Sequence, residues 1–416
     1  MKLQYIAIAF SLAATSVSAQ DVPPLGPLPQ LTNDHPRATE MVALGRQLYF
    51  DPRLSGDSST SCAECHSPEL GFGDGAELSR GYPGTKHWRN SQTIVNAAYL
   101  SGGLHWDGTV PSLLHQVPGA MGASIVANID AIMAEERMKQ IPEYVQSFNT
   151  VWGEQLSIDR IAEAIAAYEA TIVSTDSEYD QFARGDGDLS DAATRGYFLF
   201  SGKAGCINCH NGVLATDEKF YNTSVPPNPE FKSDPLLQVT FRVMMRGFGL
   251  EPEVYEAFDR DPGRYPATGD ANDMGKLRTP PLRYLKYTAP YMHNGVFYTL
   301  EEVVNFYNNG GTEDVFGTKS PLIQPLGLTQ SEKTDLVAFL ESLSGSEIKE
   351  SFPEIPPYGI KLFPARIGNQ LPKPAVPLPV TETNAQAAPS TGAAPTSSGL
   401  SFGDDVSGLT VLQSGS

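Results

Sequence analysis

Leu44-Gly-Arg-Gln-Leu-Tyr-Phe50 leads into Cys62-Ala-Glu-Cys-His66, and Arg195-Gly-Tyr-Phe-Leu-Phe200 leads into Cys206-Ile-Asn-Cys-His210. Each is a helical run feeding the same five-residue pattern. An echo at this separation predicts two duplicated domains, because a solenoid would repeat every ~20 to 50 residues. The 416 residues agree, since a folded domain takes ~100 to 200.

All four cysteines of the chain lie in these two patterns. Cys-x-x-Cys-His is the attachment sequence of c-type haem: two thiols form thioethers to the vinyl groups, and the adjacent His is placed to bind iron. Two disulfides would be the default in an exported chain, and four cysteines also suit zinc. Zinc sites of this kind space their pairs by ~15 to 20 residues, whereas these pairs lie far apart and each carries its own His. A dithiol redox motif does not require that His either. Cys62, Cys65, Cys206 and Cys209 therefore predict two covalently bound haems c, with His66 and His210 as iron ligands. A strong sixth ligand favours electron transfer, while an open position admits peroxide or dioxygen.

Met-Lys, the apolar run Tyr5 to Leu12 and the small-residue end Ser16-Val-Ser-Ala19 read as a secretory signal over residues 1–19. That run is shorter than the ~20 residues of a spanning helix, which predicts a periplasmic protein without a membrane span. A formal charge of -19 argues against a nucleic-acid partner, whose phosphates call for Lys and Arg. It suits a basic redox partner through electrostatic steering, and it suits plain solubility equally well.

Helical periodicity marks Ala38 to Tyr49, and Ile158 to Ile172 with Ile158, Ile161, Ile165 and Tyr168 on one face. The Gly-rich run Gly185-Asp-Gly-Asp188 marks a boundary. The fold predicted is mainly α: two cytochrome c-like haem domains, 20–187 and 188–350, packed against each other. A disordered Pro/Ser/Ala-rich tail follows over 351–416, its composition too poor in apolar residues to offset ordering entropy.

Three further stretches carry a family resemblance: Arg89-Asn-Ser-Gln-Thr-Ile-Val-Asn96, Trp106-Asp-Gly108, and the block from Leu277-Arg-Thr-Pro-Pro-Leu-Arg283 through Thr288-Ala-Pro-Tyr-Met-His-Asn-Gly295 to Asn309-Gly-Gly311. With the haem motifs they make the chain resemble the bacterial di-haem cytochrome c peroxidases and their relative MauG, which completes the tryptophan tryptophylquinone cofactor of methylamine dehydrogenase. The resemblance runs from about Ala38 to Leu343. It implies that the N-terminal haem reacts with peroxide, that the C-terminal haem stores electrons, and that Trp106 assists transfer between them. It also implies a Ca2+ ion held by the Asn90 side chain and the carbonyls of Thr288 and Pro290, oxygen ligands that suit a hard cation.

The sixth ligand of the C-terminal haem is Met in typical peroxidases and Tyr in MauG, and its position here falls at Tyr307. The local sequence supports a helix there: Thr299-Leu-Glu-Glu302 is a capping box and Asn308-Asn-Gly-Gly311 a stop. Val303, Val304 and Tyr307 then share one face. Met274 and Met292 are the alternatives. A phenolate is a hard anionic donor that lowers the iron potential relative to a thioether.

Two positions depart from the peroxidase pattern. The His that closes the resting N-terminal haem in many members falls at Tyr82, which predicts a five-coordinate iron unless Tyr82 or His87 takes the site; His87 reads as a surface residue. The distal acid falls in Gly119-Ala120-Met121-Gly122, where no acid stands, and acid–base help in peroxide cleavage contributes ~10² to 10⁴-fold. Gln116 matches a distal Gln that orients peroxide, but an amide cannot shuttle a proton. Glu135 and Glu136 read as surface helix positions.

The function implied is a haem peroxidase that reduces hydrogen peroxide with electrons from a small cytochrome c or cupredoxin. The alternatives are MauG-like oxidation of residues in a partner protein, and a non-enzymatic electron-transfer or redox-sensing di-haem cytochrome.

Overall fold

The computed structural model describes residues 25–359, apart from 83 and 154, and the backbone of a short strand at Leu409–Val411. The signal segment and the tail from residue 360 lie outside these residues, that strand excepted. The principal helices are α1 (Ala38–Tyr49), α2 (Leu113–Gly122), α3 (Ile158–Glu169), α4 (Asp191–Ser201), α5 (Pro235–Gly247), α6 (Leu300–Asn308) and α7 (Gln330–Ser342). Strands are confined to short antiparallel pairs, among them Leu31–Asn33 with Leu409–Val411. The mainly helical class read from the sequence is the class observed.

The duplicated sequence folds into a duplicated packing. In each half the helix that feeds the Cys-x-x-Cys-His pattern crosses the last long helix of that half: α1 lies on α3 and α4 lies on α7. Both crossings are set by the glycine of the echo. A Cβ on Gly45 would stand 1.8 Å from the Ala164 carbonyl oxygen, and one on Gly196 would stand 2.0 Å from that of Asp335. The backbones approach as closely as they do because no side chain stands between them. Helix α3 ends at Glu169 rather than Ile172, because Thr171 turns its hydroxyl back onto the Tyr168 carbonyl at 2.7 Å.

Two apolar clusters result. One gathers Leu48, Tyr49, Phe148, Ile161 and Ile165; the other gathers Tyr179, Phe200, Val304, Leu336 and Phe339. The halves also interlock. Tyr284 belongs to the first cluster, and the buried Arg283 reaches Asp180 at 2.8 Å, the Val213 carbonyl at 2.6 Å and the Gly26 carbonyl at 2.7 Å. The segment after Ser346 runs back over the first half, where Phe352 packs on Phe50 at 4.9 Å between ring centroids and Arg53 donates to the Pro356 carbonyl at 2.8 Å. Among the described residues no helix is long and apolar enough to cross a membrane.

Candidate functional site

A cavity of about 770 Å³ runs through the molecule, and its wall includes Cys65, His66, Trp106, Cys209, His210 and Tyr307. Residues of both sequence repeats thus open onto one interior.

The two histidines are presented in the same way. The Nδ1 of His66 lies 3.2 Å from the Phe72 carbonyl, and that of His210 lies 3.0 Å from the Ala215 carbonyl. Both carbonyls belong to residues in the left-handed region, with φ of 59° at Phe72 and 54° at Ala215. A carbonyl only accepts, so Nδ1 carries the proton and Nε2 keeps its lone pair for a metal. Burial lowers both rings below their usual pKa and keeps them neutral, as ligation requires. Tyr49 anchors the first motif by donating to the His66 carbonyl at 2.6 Å.

None of the four cysteines is in a disulfide. Burial pushes the thiols of Cys65 and Cys209 up to about 11 and that of Cys206 up to about 12, and Cys62 rises furthest. These are protonated, inert thiols at neutral pH rather than a redox pair. Cys62 packs against the first cluster, while Cys65, Cys206 and Cys209 reach the cavity. Paired thiols beside a neutral imidazole with a free Nε2, repeated at one cavity, form the donor set that haem c requires. Among the described residues no three His, Cys, Asp or Glu side chains gather as another metal centre.

Trp106 is held from several sides. Its indole nitrogen donates to the Asn90 carbonyl at 3.0 Å, and its ring meets His293 edge-on at 6.3 Å between centroids. The Asn90 amide donates in turn to the His293 carbonyl at 2.7 Å. Beneath them Arg89 is clamped between Asp107 and Asp261, each at 2.6 Å. Burial pushes His293 down to about 4, so this ring is neutral. The Asn90 side chain spends its NH₂ on the Ala76 carbonyl at 2.7 Å, which leaves the amide oxygen available. Asn90, Thr288 and Pro290 all stand in the cavity wall.

Helix α6 begins at the capping box read from the sequence: Thr299 accepts from the Glu302 amide at 3.2 Å, and Glu302 accepts from the Thr299 amide at 3.0 Å. Val303, Val304 and Tyr307 all face the cavity. Tyr307 lies near Cys206 and Cys209, and burial raises its pKa. Of the alternatives, Met292 lines the cavity, whereas Met274 sits outside the wall in a bridge to Gly263.

Around the first motif the sequence reading needs one correction. His87 is not a surface residue: its ring stacks on Trp88, its Nε2 lies 3.2 Å from the Ile125 carbonyl, and it stands in the cavity wall. Trp88 is buried among Leu78, Ile125 and Phe241, and it draws its neighbour inward. Tyr82 stands outside the cavity wall. Helix α2 presents Gln116, Gly119 and Ala120 to the cavity, hence an amide and no carboxyl. Glu136 is exposed, and Glu135 accepts from the Ile158 amide at 2.9 Å, at the first residue of α3.

One wall residue escaped the sequence reading. His105, immediately before Trp106, has φ of 68° and stands in the cavity wall together with Gln116. Its only signal in the sequence is adjacency to Trp-Asp-Gly.

Residues 39–188 match the family model described as di-haem cytochrome c peroxidase. The cytochrome-c peroxidase IdrP1 of Denitromonas iodatirespirans is 50% identical over 353 residues, which cover 82% of this chain and 92% of that protein. The methylamine utilization protein MauG of Methylorubrum extorquens is 32% identical over 329 residues, covering 77% of this chain and 84% of its own. Among solved structures, a MauG-like protein associated with microbial copper homeostasis is 31% identical and aligns with a TM-score of 0.65 over 78% of this chain and 95% of that one. With two haem-binding motifs opening on one cavity, and relatives this similar over most of its length, the chain belongs to the di-haem cytochrome c peroxidase family, an enzyme built around two haems.

Proposed function

We propose that the protein is a periplasmic oxidoreductase that reduces hydrogen peroxide at the haem on His66. Electrons arrive from a small redox protein, a cytochrome c or cupredoxin, through the haem on His210 and past Trp106. The observation that carries this reading is the shared cavity: His66, Trp106, His210 and Tyr307 line one interior, with Trp106 fixed to Asn90. The haems, when bound through Cys62, Cys65, Cys206 and Cys209, supply the redox equivalents.

The protein's own residues do the rest. His66 holds its Nε2 toward iron through the Phe72 carbonyl. Gln116 orients peroxide, and Ala120, Ala123 and Val126 keep the surroundings apolar. Tyr307 would close the second iron through its phenol oxygen, and that site would then be an electron store rather than a reaction site. The Asn90 amide oxygen and the carbonyls of Thr288 and Pro290 hold Ca2+. The charge of -19 steers a basic donor to the surface, and residues 1–19 direct export.

A second reading, oxidation of residues in a partner protein, is favoured by the Tyr307 phenol and by the missing carboxyl at Ala120. Rapid mixing of the diferric and the reduced holoprotein with peroxide, followed by the haem spectrum, separates the readings. Reaction with turnover on a reduced cytochrome supports the peroxidase. A persistent oxidised state that a cytochrome does not discharge supports the second reading. Inertness of both forms leaves a non-enzymatic electron carrier.

A further inference from the structure

Helix α2 presents no carboxyl group to the cavity, and the acid that its wall does hold, Asp107, is paired with Arg89; we propose that His105 is the acid–base residue of the peroxide site. The assignment rests on the peroxide-reducing reading above and names the proton carrier that reading lacks.

Four observations converge on this residue. First, its place: the ring opens onto the same cavity as Gln116, and lies close enough to His66 for a charge on one to be felt by the other. Second, its bracing: Nδ1 stands 3.5 Å from the Thr109 hydroxyl, which donates to Asp107 at 2.7 Å, and Arg89 fixes Asp107 at 2.6 Å. A His–Thr–Asp line thus runs back from the cavity into the protein. Third, its backbone: the left-handed φ of 68° is sparsely populated by residues other than glycine, and persists where surrounding structure imposes it. Here the turn is stapled by the Leu104 amide on the Val110 carbonyl at 2.6 Å and by Arg278 on the His105 carbonyl at 3.2 Å.

The fourth observation is elimination among the titratable groups of the wall. Among the described residues no glutamate lines the cavity. His66 and His210 commit Nδ1 to carbonyls and would give Nε2 to iron, His87 commits Nε2 to Ile125, and Asp107 is paired with Arg89. His293 lies beside Asp261 at 4.0 Å and packs on Trp106. His105 remains. The groups that face it are Asp107, Arg89, Arg278, His66 and His87. Burial, reinforced by Arg89 and Arg278 and opposed by Asp107, holds its pKa below the usual value, so the ring is a free base at neutral pH.

The inner oxygen of peroxide gives its proton to the His105 ring. The ring returns that proton to the outer oxygen as the O–O bond breaks, and the outer oxygen leaves as water. Two electrons from the haem pair and two protons from solvent release the inner oxygen as the second water. Peroxide is reduced, and the electron donor is oxidised.

The test is His105→Phe, prepared as holoprotein with both haems attached. Its reaction with peroxide should slow by ~10²-fold or more. Cyanide binding to the diferric protein gives a readout independent of turnover, because HCN must lose its proton to bind; the association rate should fall in parallel. In His105→Gly, added imidazole should restore part of both rates. Should His105→Phe fail to take up haem, His105→Gln carries the same two measurements. Wild-type rates of cyanide binding and peroxide reaction in the variant overturn the proposal. So does a change of the resting diferric spectrum from low to high spin, which would make His105 an iron ligand. A wild-type protein inert to peroxide would instead sink the peroxidase reading, and the acid–base role with it.

Discussion

The indole nitrogen of Trp106 donates to the backbone carbonyl of Asn90 at 3.0 Å, so the aromatic ring that lines the haem cavity is tied to a residue whose side-chain oxygen is free to bind a cation. Trp106→Phe keeps the ring and removes this bond. The substitution should cost ~1 kcal/mol of stability and slow electron exchange between the haems while leaving both resting spectra unchanged. Stopped-flow reoxidation of the half-reduced protein by peroxide checks it; an unaltered rate would take Trp106 off the path.

Tyr307→Phe addresses the second iron. The phenol is buried in the cavity wall near Cys206 and Cys209, so its loss should change the low-spin haem spectrum and raise the potential of that haem. An identical spectrum would assign the sixth position elsewhere, with Met292 next in line because it also faces the cavity.

The helix crossings predict a stability effect with no haem chemistry in it. A Cβ at position 196 meets the Asp335 carbonyl at 2.0 Å, which is backbone and cannot swing aside. Gly196→Ala should therefore destabilise by ~1 to 3 kcal/mol, the range for overpacking, against no loss for the same change at the open, α-helical Gly247, which lies away from the cavity. Denaturant midpoints of the two variants decide the point.

Glu169 predicts a pH dependence. It is buried beside Tyr49 and Cys62 with Oε2 unpartnered, and burial pushes its pKa up to about 8 from 4.5. The folded state holds this proton more tightly than the unfolded chain does. The associated stability is therefore full below about 4.5 and is lost as pH rises through about 8. Glu169→Gln cannot ionise, so its urea midpoint should fall less than that of wild type between pH 5 and 9. Equal losses would show that the carboxyl is not buried in isolation.

Much of this site was legible in the sequence because chemistry fixes spacing there. Haem attachment needs two thiols and a His within five residues, and a capping box needs Thr and Glu three apart, so both motifs and the start of α6 could be read directly. The long helices followed from apolar periodicity, α1 to the residue. What escaped depends on tertiary burial. His87 is drawn inward only because Trp88 finds a core built partly from the second half, Phe231 and Phe241. The aim of His105 follows from a left-handed turn that a histidine codon does not announce. Nor does Pro-rich texture after Ser351 reveal that Phe352 packs on Phe50. Periodicity reports which face of an element is apolar, not which loop side chain will end up facing a cavity.

The central claim is that two matching motifs hold two unequal haems, one open above His66 and one closed by Tyr307. Electron paramagnetic resonance of the diferric holoprotein, with cyanide titrated in, separates the two irons. One high-spin and one low-spin ferric signal are expected in equal amounts, with cyanide converting only the high-spin haem. Two low-spin signals at rest, or cyanide uptake at both irons, would contradict it.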